Sequence, residues 1–242
     1  MSARNLVRGL ILQLYSTLPN PTLIDLRRVL TDADLLAVTL DAMTRNDAFD
    51  GIVARAAGSV IAKTEKERDS IVSTAAEETA FLDSIGLQAI SGASSFRIAD
   101  MKGATPVSVF LALPAVRMAT HCRWLRLFLK MALVAFERTP QQSAYPCLWM
   151  LEEFAQLGHM RSLEAAAGYM AGFGVKLWVV LQDLNQLKAH YPDSWETFIG
   201  NAGVIQAFGN SDITTLQYLS DRLGQTVIAV PHGEAKTAAG LL

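Results

Sequence analysis

The sequence predicts an α/β fold, with a mostly parallel sheet over residues 96–242 and an all-alpha region over residues 1–92 before it. Three observations carry this reading. Short apolar runs at Cys147 to Leu151, Val175 to Leu181 and Val204 to Phe208 alternate with stretches of helical character. Continuous apolar runs suit strands of a parallel sheet, which are buried on both faces. Upstream of Ser91 the apolar residues recur at helical spacing instead. Ser91-Gly92-Ala93-Ser94-Ser95 separates the two patterns and marks the boundary.

The elements follow in order. Arg4 to Leu18 is apolar at helical spacing and stops at Pro19. Pro21 and Thr22 start a second helix that ends near Leu30, and Thr31 or Asp32 caps a third, Asp34 to Thr44. Ala48 to Lys63 is rich in Ala, Gly and Val. Glu65 to Ile85 reads as one long charged helix ended by Gly86. Past the boundary, Val107 to Leu113 is a β-branched run expected to be a buried strand, and Ala115 to Arg138 a long amphipathic helix. The strand–helix units follow, and Thr226 to Val230 is expected to be a last strand. Gly233 to Leu242 has no periodicity and is expected to fray.

Composition narrows the class. The chain has 242 residues, 51% of them hydrophobic, and a formal net charge of −2. Nothing global points to nucleic acid. No run of about 18 uncharged apolar residues exists; the best stretch, Trp124 to Phe136, is cut by Arg126 and Lys130. A soluble, cytoplasmic chain rich in buried strands is expected. Cys122 and Cys147 read as reduced core residues, and no His/Cys spacing suits zinc. Trp149 and Trp178 fall inside strand runs and read as core.

The chemistry gathers at strand ends. Ligands of parallel sheets bind at the carboxyl ends of the strands. Here those ends are polar: Glu152-Glu153, Gln182-Asp183 and Gly209-Asn210. Nucleotide hydrolysis needs Mg2+ to bridge the phosphates and a carboxylate to orient water. Two adjacent acids at a strand tip have the placement of a Walker B pair. An acidic pair favoured near a following helix N-terminus is the other reading, and the pattern leaves both open. Asp183 is expected to cap the next helix. Lys102, Arg117, Arg123, Arg126 and Lys130 form a basic series without an acid, read first as a solvated helix face and second as a phosphate or subunit contact.

LEEFAQLGHMRSLE, GVKLWVVLQDLNQLKAHY and WETFIGNAGVIQAFGNSD occur in that order, preceded by FRIADMKGATPVSVFLALP and WLRLFLKMAL. This series resembles the C-terminal half of the nucleotide-binding domain of TraG-like type IV secretion coupling proteins, which are RecA-like motor ATPases. The helical first part resembles the all-alpha domain that the family inserts into its motor. The resemblance implies ATP and Mg2+ as cofactors and Glu153 and Gln182 as catalytic residues. It implies Glu152 as a metal-binding acid acting through water. The family usually has Asp at the position of Glu152, so direct metal geometry is not implied. His159 and Arg161 match the loop after Walker B, whereas GYMAGFG lacks the family's trans arginine.

The resemblance also implies partners: a relaxase–DNA complex or a secreted effector protein, secretion-channel components, single-stranded DNA and a homo-hexameric ring. Full-length relatives are anchored at the cytoplasmic face of the bacterial inner membrane. No G-x-x-x-x-G-K-[ST] string occurs in this chain. A truncated coupling protein without P-loop or membrane anchor is therefore expected, inactive as an ATPase alone. A non-catalytic substrate adaptor and a degenerate gene fragment are the alternatives.

Overall fold

The computed structural model describes residues 2–140 and 144–225. It divides into two compact units, 1–145 and 146–242.

The first unit is helical. It holds α1 (Ser2–Thr17), α2 (Leu23–Thr31), α3 (Ala33–Thr44), α4 (Ala48–Ile61), α5 (Glu65–Glu78), α6 (Ile85–Ser91) and α7 (Met118–Arg138). Local chemistry sets several of these starts. The Thr22 hydroxyl accepts from the Asp25 N–H, and the Asp25 carboxylate accepts from the Thr22 N–H. Thr64 and Glu67 repeat this reciprocal arrangement at α5. Asp32 caps α3 by accepting from the Leu35 N–H. Apolar faces at helical spacing then meet. Leu6, Leu10, Met43, Val53 and Ala57 are fully buried, with Leu26, Leu30 and Val60 beside them. Each such Leu contributes about 1.5–3 kcal/mol relative to exposure. At Gly9 an added Cβ would lie 2.5 Å from Ala56 Cβ. A glycine there lets α1 and α4 approach this closely.

The long helix expected over Glu65–Ile85 breaks after Glu78. The Thr79 hydroxyl donates to the Ala75 carbonyl. Arg27 donates through Nη1 to the Ala76 carbonyl and to Thr79 Oγ1. Carbonyls at the helix end thus gain partners from outside the helix. A 3₁₀ turn, Ala80–Asp83, follows, and Arg27 grips Asp83 with two hydrogen bonds of 2.7 and 2.5 Å. Gly86 is no terminator; it lies inside α6.

Two expected strands are absent from the described residues. Residues 106–114 are irregular, and Phe110 is 90% exposed. Residues 204–208 are irregular too, with Val204 85% and Phe208 78% exposed. Among the described residues neither run pairs with a strand, and an apolar run alone supplies no ladder partner. The expected strand Thr226–Val230 lies outside the described residues.

In the second unit β1 (Cys147–Leu151) pairs in parallel with β2 (Val175–Val179), and the ladder puts Leu151 opposite Val179. Gly174 enters β2 with φ 74°, a left-handed turn suited to glycine. Its carbonyl accepts from the Cys147 N–H at 2.8 Å. Burial covers one face of the pair: Trp149 and Val175 are buried, whereas Leu148, Met150 and Trp178 are about half exposed. The expectation of burial on both faces, and of Trp178 as core, therefore fails. Among the described residues the sheet has two strands, with too few neighbouring elements to cover both faces. Among the described residues the helices of this unit are α8 (Arg161–Ala167), α9 (Leu184–His190), α10 (Trp195–Gly200) and α11 (Ile213–Leu223).

Cys122 and Cys147 are free thiols of intermediate burial, and burial pushes the Cys147 thiol up. No helix among the described residues is long and apolar enough to cross a membrane.

Candidate functional site

The candidate site lies at the carboxyl ends of β1 and β2. The two strands stop level with each other. The Val180 N–H still donates to the Leu151 carbonyl at 3.0 Å, and the chains leave the sheet beyond that bond. Glu152 and Glu153 follow β1 directly, and Gln182 follows β2. Parallel pairing thus brings the sequence-predicted residues to one edge. Both carboxylates are exposed and have no hydrogen bond or ion pair among the described residues.

The chain after Glu153 is tightly built. A 3₁₀ turn, Phe154–Leu157, buries Phe154 and Leu157. Gly158 takes φ 63°, which favours glycine. The ring of Phe154 stacks on Tyr191, and both contact Phe198. The Tyr191 hydroxyl accepts from the Met160 N–H at 3.1 Å. His159 packs edge-on against Tyr191 and pairs with Glu164 at 2.8 Å. The Ser194 hydroxyl donates to the other oxygen of Glu164. Ser194 first, then His159, hold the Glu164 carboxyl below the usual carboxylate range. These bonds fix the loop after the carboxylate pair. Sequence patterns single out His159 and miss Tyr191, Phe154, Phe198 and Ser194. Aromatic residues spaced across several elements carry no local signal of their meeting.

Gln182 lies in a second network. Asp183 caps α9, as expected, by accepting from the Gln186 N–H at 2.9 Å. The Asn210 carboxamide donates to the Gln182 carbonyl at 3.2 Å. The third polar tip therefore joins the site although residues 204–208 form no strand. Asp212 caps α11 by accepting from the Thr215 N–H at 2.9 Å, and it also accepts from Asn185 at 3.1 Å. The Thr215 N–H first, with the Thr215 and Asn185 side chains, holds the Asp212 carboxyl low. Its Oδ2 is buried without a partner among the described residues. The Thr215 hydroxyl accepts from the Leu184 N–H at 3.0 Å. Ser211-Asp212 before an amphipathic run is a helix-start signature, and it marks Asp212 as a cap.

The basic series dissolves in part. Lys102 is buried, and its ammonium donates to the carbonyls of Phe136 and Thr139, capping the end of α7. Burial lowers its pKa. Arg123 is exposed and pairs with Glu78 at 3.2 Å.

The two parallel strands end level, with acids after one and an amide after the other, at the edge where ligands of α/β sheets bind. Residues 5–238 match the family described as type IV secretory system conjugative DNA transfer, and the chain belongs to that family. It is 29% identical to a conjugal transfer protein TraG of Escherichia coli over 188 residues, 73% of this chain and 29% of the relative. A probable conjugal transfer protein TraG of Sinorhizobium fredii is 25% identical over 169 residues, 69% of this chain and 26% of the relative. The protein VirD4 of Rhizobium rhizogenes is 23% identical over 142 residues, 57% of this chain and 21% of the relative. The chain thus spans less than a third of the length of these relatives. No solved structure matches it.

Proposed function

We propose that this chain supplies the metal-and-water half of a RecA-like ATPase site in a TraG-like coupling protein. In this reading ATP hydrolysis drives conjugative transfer of DNA or effector protein. The observation that carries it is the β1–β2 pair, which puts Glu152, Glu153 and Gln182 at one carboxyl edge.

The residues fit a hydrated Mg2+ bound chiefly by nucleotide phosphates. Among the described residues no group of three or more His, Cys, Asp or Glu gathers to hold a metal. Mg2+ usually keeps several waters and takes one or two carboxylates, which two free adjacent acids can supply. Glu152, a methylene longer than the family's Asp, suits contact through such a water. When bound, Mg2+ would spread the charge developing on the phosphates. Glu153 orients the attacking water and accepts its proton. Gln182 donates from its carboxamide to a phosphate oxygen. No residue series in this chain can cradle the phosphates as G-x-x-x-x-G-K-[ST] does.

The wider proposals follow from the family. The helical region over 1–92 recruits cargo, a relaxase–DNA complex or an effector, to secretion-channel components. The assembled motor is a hexameric ring at the cytoplasmic face of the inner membrane, with single-stranded DNA as a further contact. A non-catalytic adaptor is the second reading.

The test replaces the aligned segment of the Escherichia coli TraG relative with this chain and measures ATP hydrolysis and mating. Glu153→Gln in that chimera is expected to lower turnover by about 100-fold or more with nucleotide affinity retained. The isolated chain is expected to release no phosphate. Turnover by the isolated chain that Glu153→Gln removes, or a chimera indifferent to Glu153→Gln, refutes the proposal. A chimera that mates without this chain's carboxylates supports the adaptor.

A further inference from the structure

Gln182 has four polar groups, and three of them are engaged by the chain itself. Its N–H donates to Gln186 Oε1 at 3.0 Å. Its side-chain Oε1 accepts from Gln186 Nε2 at 3.3 Å. Its carbonyl accepts from Asn210 Nδ2 at 3.2 Å. The amide orientations are fixed by the partners. A backbone N–H can only donate, so Gln186 must face it with oxygen and turn its nitrogen to the Gln182 side chain. A carbonyl can only accept, so Asn210 must present nitrogen. What remains on Gln182 is Nε2, a two-proton donor with no partner among the described residues, on an exposed side chain.

The anchors of this arrangement are themselves held. Asn210 is two residues before Asp212, whose carboxylate bonds both Thr215 N–H and Asn185. The Thr215 hydroxyl meets the Leu184 N–H. The starts of α9 and α11 are therefore cross-linked, and the 210–212 segment cannot drift from Gln182 without breaking several bonds.

We infer that Asn210 and Gln186 are positioning residues: together they hold the backbone and carboxamide of Gln182 so that Nε2 is an oriented donor for an anionic oxygen at the strand edge. The inference rests on the reading of Gln182 as the group that meets the phosphates. An oriented donor costs no reorganisation when charge develops, whereas a free glutamine must first be ordered. Sequence alone places Asn210 at a polar run end, where Asn also suits a turn, and does not show that it bonds Gln182.

The test is amide NMR of the full 242-residue chain, with the Gln182 signals assigned by their loss in Gln182→Ala. In the wild type the Gln182 carboxamide is expected to be ordered, with an order parameter of about 0.8, falling below about 0.6 when its anchors are removed. Asn210→Asp keeps the shape and removes the donor, so both the backbone amide shift and the carboxamide order should change. Gln186→Glu keeps an acceptor for the Gln182 N–H and removes the donor to Oε1. It should loosen the carboxamide while leaving the backbone amide near its wild-type shift. Amides in the middle of α11 serve as the folding control in both variants. A wild-type Gln182 carboxamide that is already mobile overturns the inference. So does an Asn210→Asp variant that lowers the melting temperature but leaves the Gln182 signals unchanged. The site reading fails separately: a chimera with Gln182→Ala at full turnover would end it without touching the NMR result.

Discussion

The helical residues 2–78 and the strand-bearing residues 146–225 solve the burial problem in opposite ways. In the first region amphipathic helices close on one another. Leu6, Leu10, Met43 and Val53 lose all contact with water. Even the polar group drawn into that core is satisfied: Gln13 accepts from Asn46 at 2.6 Å. In the second region two strands cover one face and leave Leu148, Met150 and Trp178 half exposed. The difference teaches where function resides. A bundle can finish its own core from neighbours in sequence. A parallel sheet needs strands from far along the chain, and a two-strand piece stays open. The candidate site sits on loops above this open sheet, held by hydrogen bonds and aromatic packing more than by a deep core.

The largest expected effect breaks the bundle side of the comparison. Leu10→Ala should destabilise the helical region by about 2–5 kcal/mol through lost burial and a residual cavity. Far-UV circular dichroism of the full chain during urea unfolding measures it. With Trp124 replaced by Phe in both proteins, the remaining tryptophans, Trp149, Trp178 and Trp195, all lie in the strand-bearing region, and their fluorescence should shift less. Equal shifts in both signals would show that the two regions melt as one.

An intermediate effect tests how the bundle ends. Hydrogen bonds from Arg27 hold the Asp83 carboxyl below its ordinary value of 3.8. The charged form is favoured in the folded state, so its contribution is complete above the ordinary value and is lost as pH falls through the lowered one. Asp83→Asn should cost less than about 1 kcal/mol at neutral pH, because the carboxylate is mostly exposed. It should also make melting between about pH 5 and pH 2 less acid-sensitive. An unchanged acid profile would remove Arg27–Asp83 from the account of the α5 break.

The smallest effect sharpens the strand side. Trp178→Thr removes apolar surface that is 49% exposed and places a β-branched residue in β2. Stability should change by less than about 0.5 kcal/mol, as at other surface positions. Binding of a hydrophobic dye should fall. A loss of several kcal/mol would mean that this face is covered in solution.

Local chemistry is legible in the sequence. Thr22, Asp32 and Asp183 read as caps or helix starts because their partners lie within three residues. Cys147–Leu151 reads as a strand from its apolar run and polar end, and the same pattern places Glu152, Glu153 and Gln182 at strand tips. Other features have no local signature. Val107–Leu113 and Val204–Phe208 share the strand pattern, yet a strand exists only where another chain segment offers its N–H and C=O groups. Lys102 has the pattern of a surface charge, but the carbonyl end of α7 meets it. Glu65–Ile85 has the pattern of one continuous helix, but Arg27, from a distant helix, takes the Ala76 carbonyl. The sequence by itself determined several helix starts and the acids and amide that follow β1 and β2, because those depend on near neighbours. Only the tertiary structure decided which runs pair, which face stays open and how Asn210 reaches Gln182. Those outcomes depend on contacts between residues far apart in the chain, whose closure entropy must be repaid by partners that local patterns do not show.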